Sequence, residues 1–489
     1  MVFSSLIFLF LFLPVVLSVY FLLKQTALRN AFLVAASLIF YAWGEPTYVW
    51  VMLLSIVANY FFAIWIEDHQ TLKKQILSLA VVFNLGLLAY FKYSNFFASN
   101  LDHLLAVFNL PKTSMWFVPL PLGVSFFTFH ALSYVIDVFR KQAVAQRQPM
   151  NMALYICFFP QLIAGPIIRY HDICGQLTDR KVNADMFSEG IKRFIGGLAK
   201  KVLIANVLAK PTDLIFSLPP TELSAGVSWL GALLYALQVY FDFSGYSDMA
   251  IGLGLMFGFR FLENFNYPYI SQSMRELWNR WHISLSNWFR DYLFKPLGGF
   301  RRNGKLHTSR ILMTVFFFCG LWHGASWHFV MWGLWNGAFV CIERLGLGKF
   351  IDSAWRPFRH LYVIAVWLLS MILFRSESMA QAQALWLNMF GISHNVEGYY
   401  TLPVLLNAEI CTTVMIGILA CTPIFRDLLY TPLVVERKER TQPAVRNRLW
   451  VSPGALVAVP RFALEAGVTL LVVMQLASGA YNPFIYFRF

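Results

Sequence analysis

One histidine of this chain lies inside an apolar stretch rich in tryptophan. His323 occurs between Phe318 and Trp332, after a run of mainly apolar residues. An imidazole exchanges its proton easily near neutral pH, so a buried one can act as a general base towards a hydroxyl or thiol. A core histidine bonded to a carbonyl or packed on tryptophan would have the same surroundings, and the residues alone leave both interpretations open.

A second histidine, His328, follows five positions later in the same stretch. Five residues correspond to roughly 140° around a helix, so His323 and His328 would not share a face as a pair of metal ligands should. We therefore predict no metal site here. We expect His328 to be the wetter residue, at the edge of the membrane.

A further cluster, Glu276–Tyr292, combines tryptophans with arginines and His282. On one continuous helix its apolar side chains would form a stripe opposite its polar ones, as in an amphipathic helix at a bilayer surface. The stripe contains Trp278, Trp281, Leu285 and Trp288, and the opposite face contains Arg280, Ser284 and Asn287. Alternatively, His282 and the arginines form a cytoplasmic mouth for a phosphate-bearing or carrier-borne substrate, since guanidinium groups bind phosphate well.

Two carboxylates, Asp242 and Asp248, interrupt an otherwise apolar sequence. Residues six positions apart do not face each other on a helix, so paired-carboxylate chemistry is not supported. We expect these acids to form scaffolding salt bridges, with Arg280 or Arg290 as partners. His130 is another histidine in an apolar stretch, and we expect it to be structural.

The composition requires a lipid environment for the elements that position these residues. Of 489 residues, 58% are hydrophobic and 13% are charged, against about a quarter charged in soluble domains. The chain has no GxxxxGK[ST], GxSxG or HExxH motif, which argues against ATP-driven transport, elbow-type serine hydrolysis and zincin chemistry. Its six cysteines form no CxxC pair and are expected to be core residues.

Apolar segments recur along the whole chain, so we predict a single membrane domain, 1–489. The segments are 4–23, 29–43, 46–66, 75–91, 117–138, 151–168, 202–217, 222–240, 246–260, 311–322, 328–343, 358–374, 403–424 and 460–479. Segment 151–168 lies between basic loops and contains Gly165-Pro166, which predicts a re-entrant or broken helix. Region 241–310 mixes short apolar pieces with arginines, and we predict that it is re-entrant or interfacial on the cytoplasmic side. Gly254 and Gly258 are expected to form a close helix contact.

Basic residues give the predicted orientation. The net charge of +14 comes from loops between apolar segments, which is the positive-inside pattern of membrane proteins and does not predict nucleic-acid binding. Loops containing Lys73, Arg140 and Arg147, and the basic loop 425–455, are therefore expected to be cytoplasmic. The connection from Ser376 to Pro403 has no basic residue and is expected outside, as are the N-terminus and the tail 481–489. The first segment lacks the flanks of a removable signal peptide and should remain as a span.

The order and spacing of several motifs along nearly the whole chain resemble those of the membrane-bound O-acyltransferase family. They are Met1-Val-Phe-Ser-Ser5, Pro121-Leu-Gly-Val-Ser-Phe126, Phe159-Pro-Gln-Leu-Ile-Ala-Gly-Pro166, Tyr240-Phe-Asp-Phe-Ser-Gly-Tyr-Ser-Asp248, Arg280-Trp-His-Ile-Ser-Leu-Ser286, Leu321-Trp-His-Gly324 and Tyr481-Asn-Pro-Phe-Ile-Tyr-Phe487. The resemblance implies an all-α polytopic membrane protein in which helices form a ring around a thin central site. From the apolar segments we expect about 11 to 13 transmembrane or re-entrant helices.

The resemblance also implies the site. It makes His323 the deep catalytic histidine and His282 a second catalytic histidine nearer the cytoplasm. The substrate-binding candidates are Arg280, Trp281, Ser284, Trp322 and Asn336. The expected acyl donor is acetyl-CoA, with no permanently bound cofactor. The expected location is the bacterial inner membrane, crossed several times, with membrane lipid and periplasmic or membrane-anchored polysaccharide acetyltransferase proteins as partners.

The function implied is O-acetylation of an exopolysaccharide such as alginate. Two departures from the expected pattern, Gln161 in place of histidine and Asn279 in place of a basic residue, leave cellulose, peptidoglycan and teichoic acid open as alternative acceptors. Two other classes of protein also remain open: a transporter that moves an acyl carrier or polysaccharide without chemistry, and a scaffold for an export complex. Whether His323 is a base or a transient acyl carrier cannot be read from the sequence.

Overall fold

The computed structural model describes residues 1–113, 117–299, 304–393, 398–424, 455–479, 481 and 483. Within these residues the secondary structure is helical and no β-strand occurs, which confirms the predicted all-α class. The predicted basic loop 425–455 falls outside the described residues except for its last position, and so does most of the tail 481–489.

The helices follow one another through short connections. From the N-terminus they are α1 (Leu13–Leu22), α2 (Thr26–Ala42), α3 (Val49–Asp68), α4 (Lys73–Val107), α5 (Val124–Phe139), α6 (Pro149–Cys157), α7 (Phe159–Leu162), α8 (Tyr170–Thr178), α9 (Ala184–Ala199), α10 (Asn206–Ser217) and α11 (Ala225–Met256). They continue with α12 (Met274–Arg280), α13 (Ile283–Phe289), α14 (Lys305–His323), α15 (Trp327–Ile342), α16 (Gly348–Ser353), α17 (Arg356–Arg375), α18 (Met379–Met389), α19 (Leu402–Leu405), α20 (Ala408–Ala420) and α21 (Ala455–Ala477). Wider π-helical turns occupy Phe8–Phe12, Lys200–Ala205, Arg290–Phe294 and Glu343–Leu347, and short 3₁₀ turns occupy Pro220–Glu222 and Pro268–Ile270.

Lipid is the natural solvent of the outer surface. Three described helices, α3, α4 and α17, are long and apolar enough to cross a membrane by length and composition, and shorter apolar helices accompany them. Large apolar side chains point outwards from these helices, among them Trp50 at 73% exposure and Val107 at 75%. Such a surface would be unfavourable in water and is favourable against lipid tails.

Helix α11 lies in the core and is a single buried element. The sequence predicted two segments, 222–240 and 246–260, whereas one helix of 32 residues runs from Ala225 to Met256. The predicted region 241–310 therefore begins within this helix, and its placement on the cytoplasmic side stays a prediction. The acids that interrupt the apolar pattern do not break the helix, since cations of the neighbouring chain segment neutralise them.

Asp242 and Asp248 do form scaffolding ion pairs, but with partners other than those predicted. Lys201, in the π-helical turn between α9 and α10, places Nζ 2.7 Å from Asp242, and both side chains are almost fully buried. Lys200 and Arg193 each lie 2.6 Å from Asp248. Because the π-helical turn shifts the helix phase by about one residue, successive lysines reach two carboxylates on α11.

Four glycines bring α9 and α11 into backbone contact, and we call this contact the glycine seam (Gly190, Gly197, Gly245 and Gly252). A Cβ atom on Gly197 would lie 2.5 Å from the carbonyl oxygen of Gly245, and one on Gly252 would lie 2.6 Å from that of Gly190. Larger residues would push the helices apart. The predicted contact through Gly254 and Gly258 is wrong, because Gly258 lies beyond the helix end with φ of +87°.

The predicted break in segment 151–168 is confirmed. Helix α6 ends at Cys157, Phe158 has ψ of 114°, and α7 begins at Phe159. The backbone N–H of Phe159 donates to Ser37 Oγ at 3.1 Å, which satisfies a group that the break leaves free.

A polar network at one end of the fold surrounds Asp137, at the end of α5. His171 donates through Nδ1 to a carboxylate oxygen of Asp137 at 2.8 Å, and Tyr292 Oη donates to the other oxygen at 2.7 Å. The hydrogen bond to Asp137 raises the pKa of His171 above its usual value. Because the folded-state pKa is raised, protonated His171 stabilises the fold below the ordinary histidine pKa of about 6.5.

That stabilisation is lost as pH rises through the raised pKa of His171. We therefore expect thermal stability in detergent to fall more between about pH 6 and 8 for the wild-type chain than for His171→Gln. Thermal unfolding of both proteins across this range measures the difference. Parallel curves for the two proteins would contradict the expectation.

Candidate active site

The hairpin of α14 and α15 positions His323 at its turn. His323 is the last residue of α14, and α15 begins at Trp327. Glycines hold the two helices in contact: a Cβ atom on Gly320 would lie 2.4 Å from the carbonyl oxygen of Phe329, and one on Gly333 would lie 2.3 Å from that of Phe316. Thus small residues in the motif around His323 fix the position of the turn.

Aromatic rings surround His323, which is 8% exposed. The ring centroids of Trp322, Trp332 and Phe374 lie 4.9, 4.8 and 5.2 Å from that of His323, each nearly perpendicular to it. The imidazole makes no hydrogen bond within the described part of the chain, and it borders a cavity of about 200 Å³. A histidine held by ring contacts, with a polar atom available to a cavity, is suited to proton transfer.

His282 lies between two short helices at a reversal of the chain. Helices α12 and α13 contain seven residues each, and His282 between them has φ of +43°, in the left-handed region. The predicted continuous amphipathic helix is therefore wrong. Its apolar side chains face protein, with exposures of 8% or less: Trp278, Trp281, Leu285 and Trp288.

Asn264 fixes the tautomer of the His282 imidazole. The Oδ1 atom of Asn264 lies 3.1 Å from His282 Nδ1 and accepts from Ser284 N and Oγ at 3.2 and 2.9 Å. Its Nδ2 group donates to Ser247 Oγ at 2.9 Å, and the backbone N–H of Ser284, which can only donate, identifies Oδ1 as the acceptor. Nδ1 of His282 therefore carries the proton, and Nε2 keeps its lone pair. Nε2 is buried and has no hydrogen-bond partner among the described residues.

Trp322 lies close to both histidines. Its ring centroid is 4.9 Å from that of His323 and 6.0 Å from that of His282. The indole Nε1 is buried and unpartnered in the described part of the molecule. The structure thus brings together three of the predicted site residues, His282, Trp322 and His323.

The remaining predicted residues are held in the surrounding structure. Arg280 donates to Glu276 at 2.9 Å and to the carbonyl oxygen of Asn266 at 3.0 Å. Trp281 packs on Trp367, with ring centroids 4.9 Å apart. Asn336 is fully buried on α15, where its Nδ2 donates to the Trp332 carbonyl oxygen at 2.9 Å.

Ser284 has a structural task beyond its bond to Asn264. Its Oγ accepts from the backbone N–H of Ile167 at 3.0 Å, so it ties α13 to the residues after the broken segment. The substrate-binding roles of Arg280, Trp281, Ser284, Trp322 and Asn336 stay predictions.

Lys92 is a site residue that the sequence reasoning missed. It lies on α4, is 9% exposed and borders the same cavity as His323. Its Nζ donates to Ser125 Oγ at 3.3 Å and to the carbonyl oxygen of Trp322. A signal was present, because Lys92 stands between Phe91 and Tyr93 directly after an apolar segment, and a charged residue at membrane depth indicates function.

Two other histidines lie outside this group. His328 is 8% exposed, as His323 is, and it borders a larger cavity of about 690 Å³, so its expected wetter position stays a prediction. Its Nδ1 is 3.1 Å from the carbonyl oxygen of Leu373. His130 is fully buried, and its Nε2 accepts from the backbone N–H of Ile168 at 3.4 Å, which agrees with the expected structural role.

Comparison with known proteins identifies the family of this chain. A family model described as the membrane-bound O-acyltransferase family matches residues 36–381. The chain belongs to this family, and its all-α polytopic fold and O-acyltransferase class follow from that membership.

Three relatives match the chain over all or most of its length. It is 40% identical over 502 residues to a probable alginate O-acetylase of Pseudomonas putida and 38% identical over 503 residues to that of Azotobacter vinelandii, each covering 100% of both chains. It is also 36% identical over 437 residues to a peptidoglycan O-acetyltransferase of Helicobacter pylori, covering 80% of each chain.

Proposed function

We propose that the protein relays acetyl groups from acetyl-CoA in the cytosol to an acceptor on the other side of the bacterial inner membrane. The observation that carries this proposal is that one buried indole, that of Trp322, lies near both His282 and His323. Such an arrangement offers two basic nitrogens along one buried route. The acceptor polymer is an exopolysaccharide such as alginate, which is supported by relatives named as probable alginate O-acetylases that match over the full length.

The positions of the connections between helices support entry of donor and acceptor from opposite ends of the fold. The α3–α4 and α5–α6 connections share one end of the fold, because Arg147 forms ion pairs with Glu67 and Asp68 at 2.8 and 2.6 Å. The α2–α3 and α4–α5 connections meet elsewhere, around one cavity. Lys73, Arg140 and Arg147 belong to the first end. The chain after His282 reaches this basic end, where Arg140 donates to the carbonyl oxygen of Asp291 at 2.9 Å.

The cavity beside His323 is associated with the opposite end. Its lining includes Glu45, from the α2–α3 connection, and Leu120 to Gly123, from the α4–α5 connection. The positive-inside rule makes the basic end cytoplasmic. Donor therefore enters near His282, and acceptor enters through the cavity beside His323.

The transfer step follows from these positions. His323 takes the proton of an acceptor hydroxyl, and the oxygen attacks the carbonyl carbon of the acetyl thioester. A new C–O bond forms, the C–S bond breaks, and the departing sulfur takes a proton from the imidazolium. A site enclosed by aromatic rings excludes water and so limits hydrolysis of the thioester. Periplasmic or membrane-anchored polysaccharide acetyltransferase proteins are the partners that bring the polymer hydroxyl to this site.

A vesicle experiment tests the relay. Protein is reconstituted in sealed liposomes, with acetyl-labelled acetyl-CoA outside and an oligomannuronate inside. We expect labelled ester inside and free CoA outside, in amounts that rise together. Ester formation only when donor and acceptor share one compartment would refute the relay. Internal accumulation of intact acetyl-CoA without free CoA would instead indicate a transporter.

The position of Asn264 gives a second test of the His282 assignment. Asn264→Leu removes the acceptor that fixes the protonation form of His282, so we expect transfer to fall roughly 10- to 100-fold, part of the usual contribution of general base catalysis. Asn264→Asp keeps an acceptor oxygen and should retain more activity. Both rates are measured per amount of folded protein from gel filtration.

Asn266→Leu is the matched control for Asn264, because Asn266 is a nearby exposed asparagine whose described contacts use the backbone. It should transfer at the wild-type rate. Equal activity of Asn264→Leu and Asn266→Leu would remove Asn264 from the mechanism.

A further inference from the structure

The cavity of about 200 Å³ beside His323 contains an unusual charge arrangement. Lys92 and Ser125 contribute polar groups to it, and Glu45 contributes a carboxylate from the α2–α3 connection. Lys92 is the buried cation of this set, at 9% exposure, whereas Glu45 is partly exposed. Donor and acceptor would meet in this cavity, since His323 borders it as well.

Among the described residues no carboxylate lies within 4.0 Å of Lys92 Nζ, although Lys92 shares the cavity with Glu45. The Nζ group is held by the neutral oxygens of Ser125 and Trp322. Burying a cation without an opposite charge costs several kcal/mol. A residue kept at such a cost in an apolar protein is expected to interact with negative charge that arises during function.

The geometry points to Lys92 as a catalytic residue of the transfer step, an inference that rests on the proposed acetyl transfer. When the acceptor oxygen attacks the acetyl carbonyl carbon, the electron pair of the C=O double bond moves to oxygen and forms an oxyanion. The Lys92 ammonium stabilises this oxyanion, and His323 holds the proton taken from the acceptor. The C=O bond re-forms as the C–S bond breaks, and the thiol leaves with the proton from His323.

One contact places Lys92 beside the reacting groups. Its Nζ donates to the carbonyl oxygen of Trp322, the residue before His323. The ammonium and the imidazole are thereby held on neighbouring positions, as the tetrahedral intermediate requires.

The test compares Lys92→Met with Lys74→Met in the full chain in nanodiscs, with acetyl-CoA as donor and an oligomannuronate as acceptor. Methionine keeps the length of the side chain and removes its charge. Removing one oxyanion donor typically lowers kcat by about 10²- to 10³-fold, and we expect this for Lys92→Met with the KM for acetyl-CoA little changed. Lys74 is an exposed lysine of α4, and Lys74→Met should behave as wild type.

A purely structural role for Lys92 predicts a different result. In that case Lys92→Met would lose activity only in proportion to the loss of folded protein, which would overturn the inference. Lys92→Ala gives a second measurement: added methylammonium should restore kcat with saturation, and ethanol, which is of similar size and uncharged, should not. Equal effects of the two additives, or no effect of either, would also overturn it. An inactive wild-type chain would instead refute the proposed function.

Discussion

Replacing His323 by glutamine is expected to lower the rate of acetyl transfer by about 10²- to 10⁴-fold, the range that general acid–base catalysis contributes. The fold should be preserved, because within the described residues His323 makes ring contacts and no hydrogen bond. The rate of ester formation from labelled acetyl-CoA, per amount of folded protein, measures the effect.

His103→Gln is the matched control, since His103 is an exposed histidine on α4. It should leave transfer unchanged. Normal transfer by folded His323→Gln would exclude His323 as a catalytic residue. A parallel loss of folded protein and of transfer would identify it as structural, as expected for a scaffold.

The same variant separates a base from an acyl carrier. With labelled acetyl-CoA and no acceptor, an acyl carrier accumulates label on the wild-type protein that is absent from His323→Gln. A base leaves both proteins unlabelled. Rapid gel filtration at neutral pH separates the protein from free donor and gives this measurement, because an acyl-imidazole would hydrolyse in acid.

The largest effect on stability is expected from Asp242→Asn. This change leaves the ammonium of Lys201 buried without its charged partner, 2.7 Å away in the wild-type protein. Breaking a buried ion pair from one side typically lowers the free energy of unfolding by about 3–5 kcal/mol. Unfolding in detergent, followed by tryptophan fluorescence, measures the change.

Two further variants show whether burial causes this loss. The double variant Asp242→Leu with Lys201→Met should recover much of the stability, because it removes both buried charges. Glu263→Gln removes a carboxylate that is 56% exposed and paired with Arg193, and it should cost no more than about 1 kcal/mol. If Asp242→Asn were no more destabilised than Glu263→Gln, the buried pair would not support the fold.

The sequence predicted the elements with local signals and missed those that depend on tertiary contact. The apolar runs placed most helices, and the Gly165-Pro166 pair correctly indicated a broken segment. The salt-bridge partners of Asp242 were wrong because Lys201 and Asp242 are brought together only by the packing of α9 and α10 against α11. No spacing rule connects them.

In the candidate site, too, residues with local sequence signals were predicted and residues placed by tertiary contacts were missed. His323 and His282 were identified because each lies in a dense motif of tryptophan and polar residues. Asn264 was missed because nothing in the sequence around this asparagine indicates that it contacts His282. The prediction of a helical stripe through Trp281 was wrong because the backbone at His282 is left-handed and reverses the chain. Such a conformation is rare for residues other than glycine, so the sequence does not indicate it.

The glycine seam has a mechanical consequence for turnover. Where α9 and α11 meet, main-chain atoms contact each other directly, so few side-chain rotations are available there to accommodate sliding. The buried ion pair of Lys201 and Asp242 also links the end of α9 to α11. We therefore expect α9 and α11 to move together as one rigid unit. Opening of a route for donor or acceptor would then displace whole elements, such as the α14–α15 hairpin, relative to that unit.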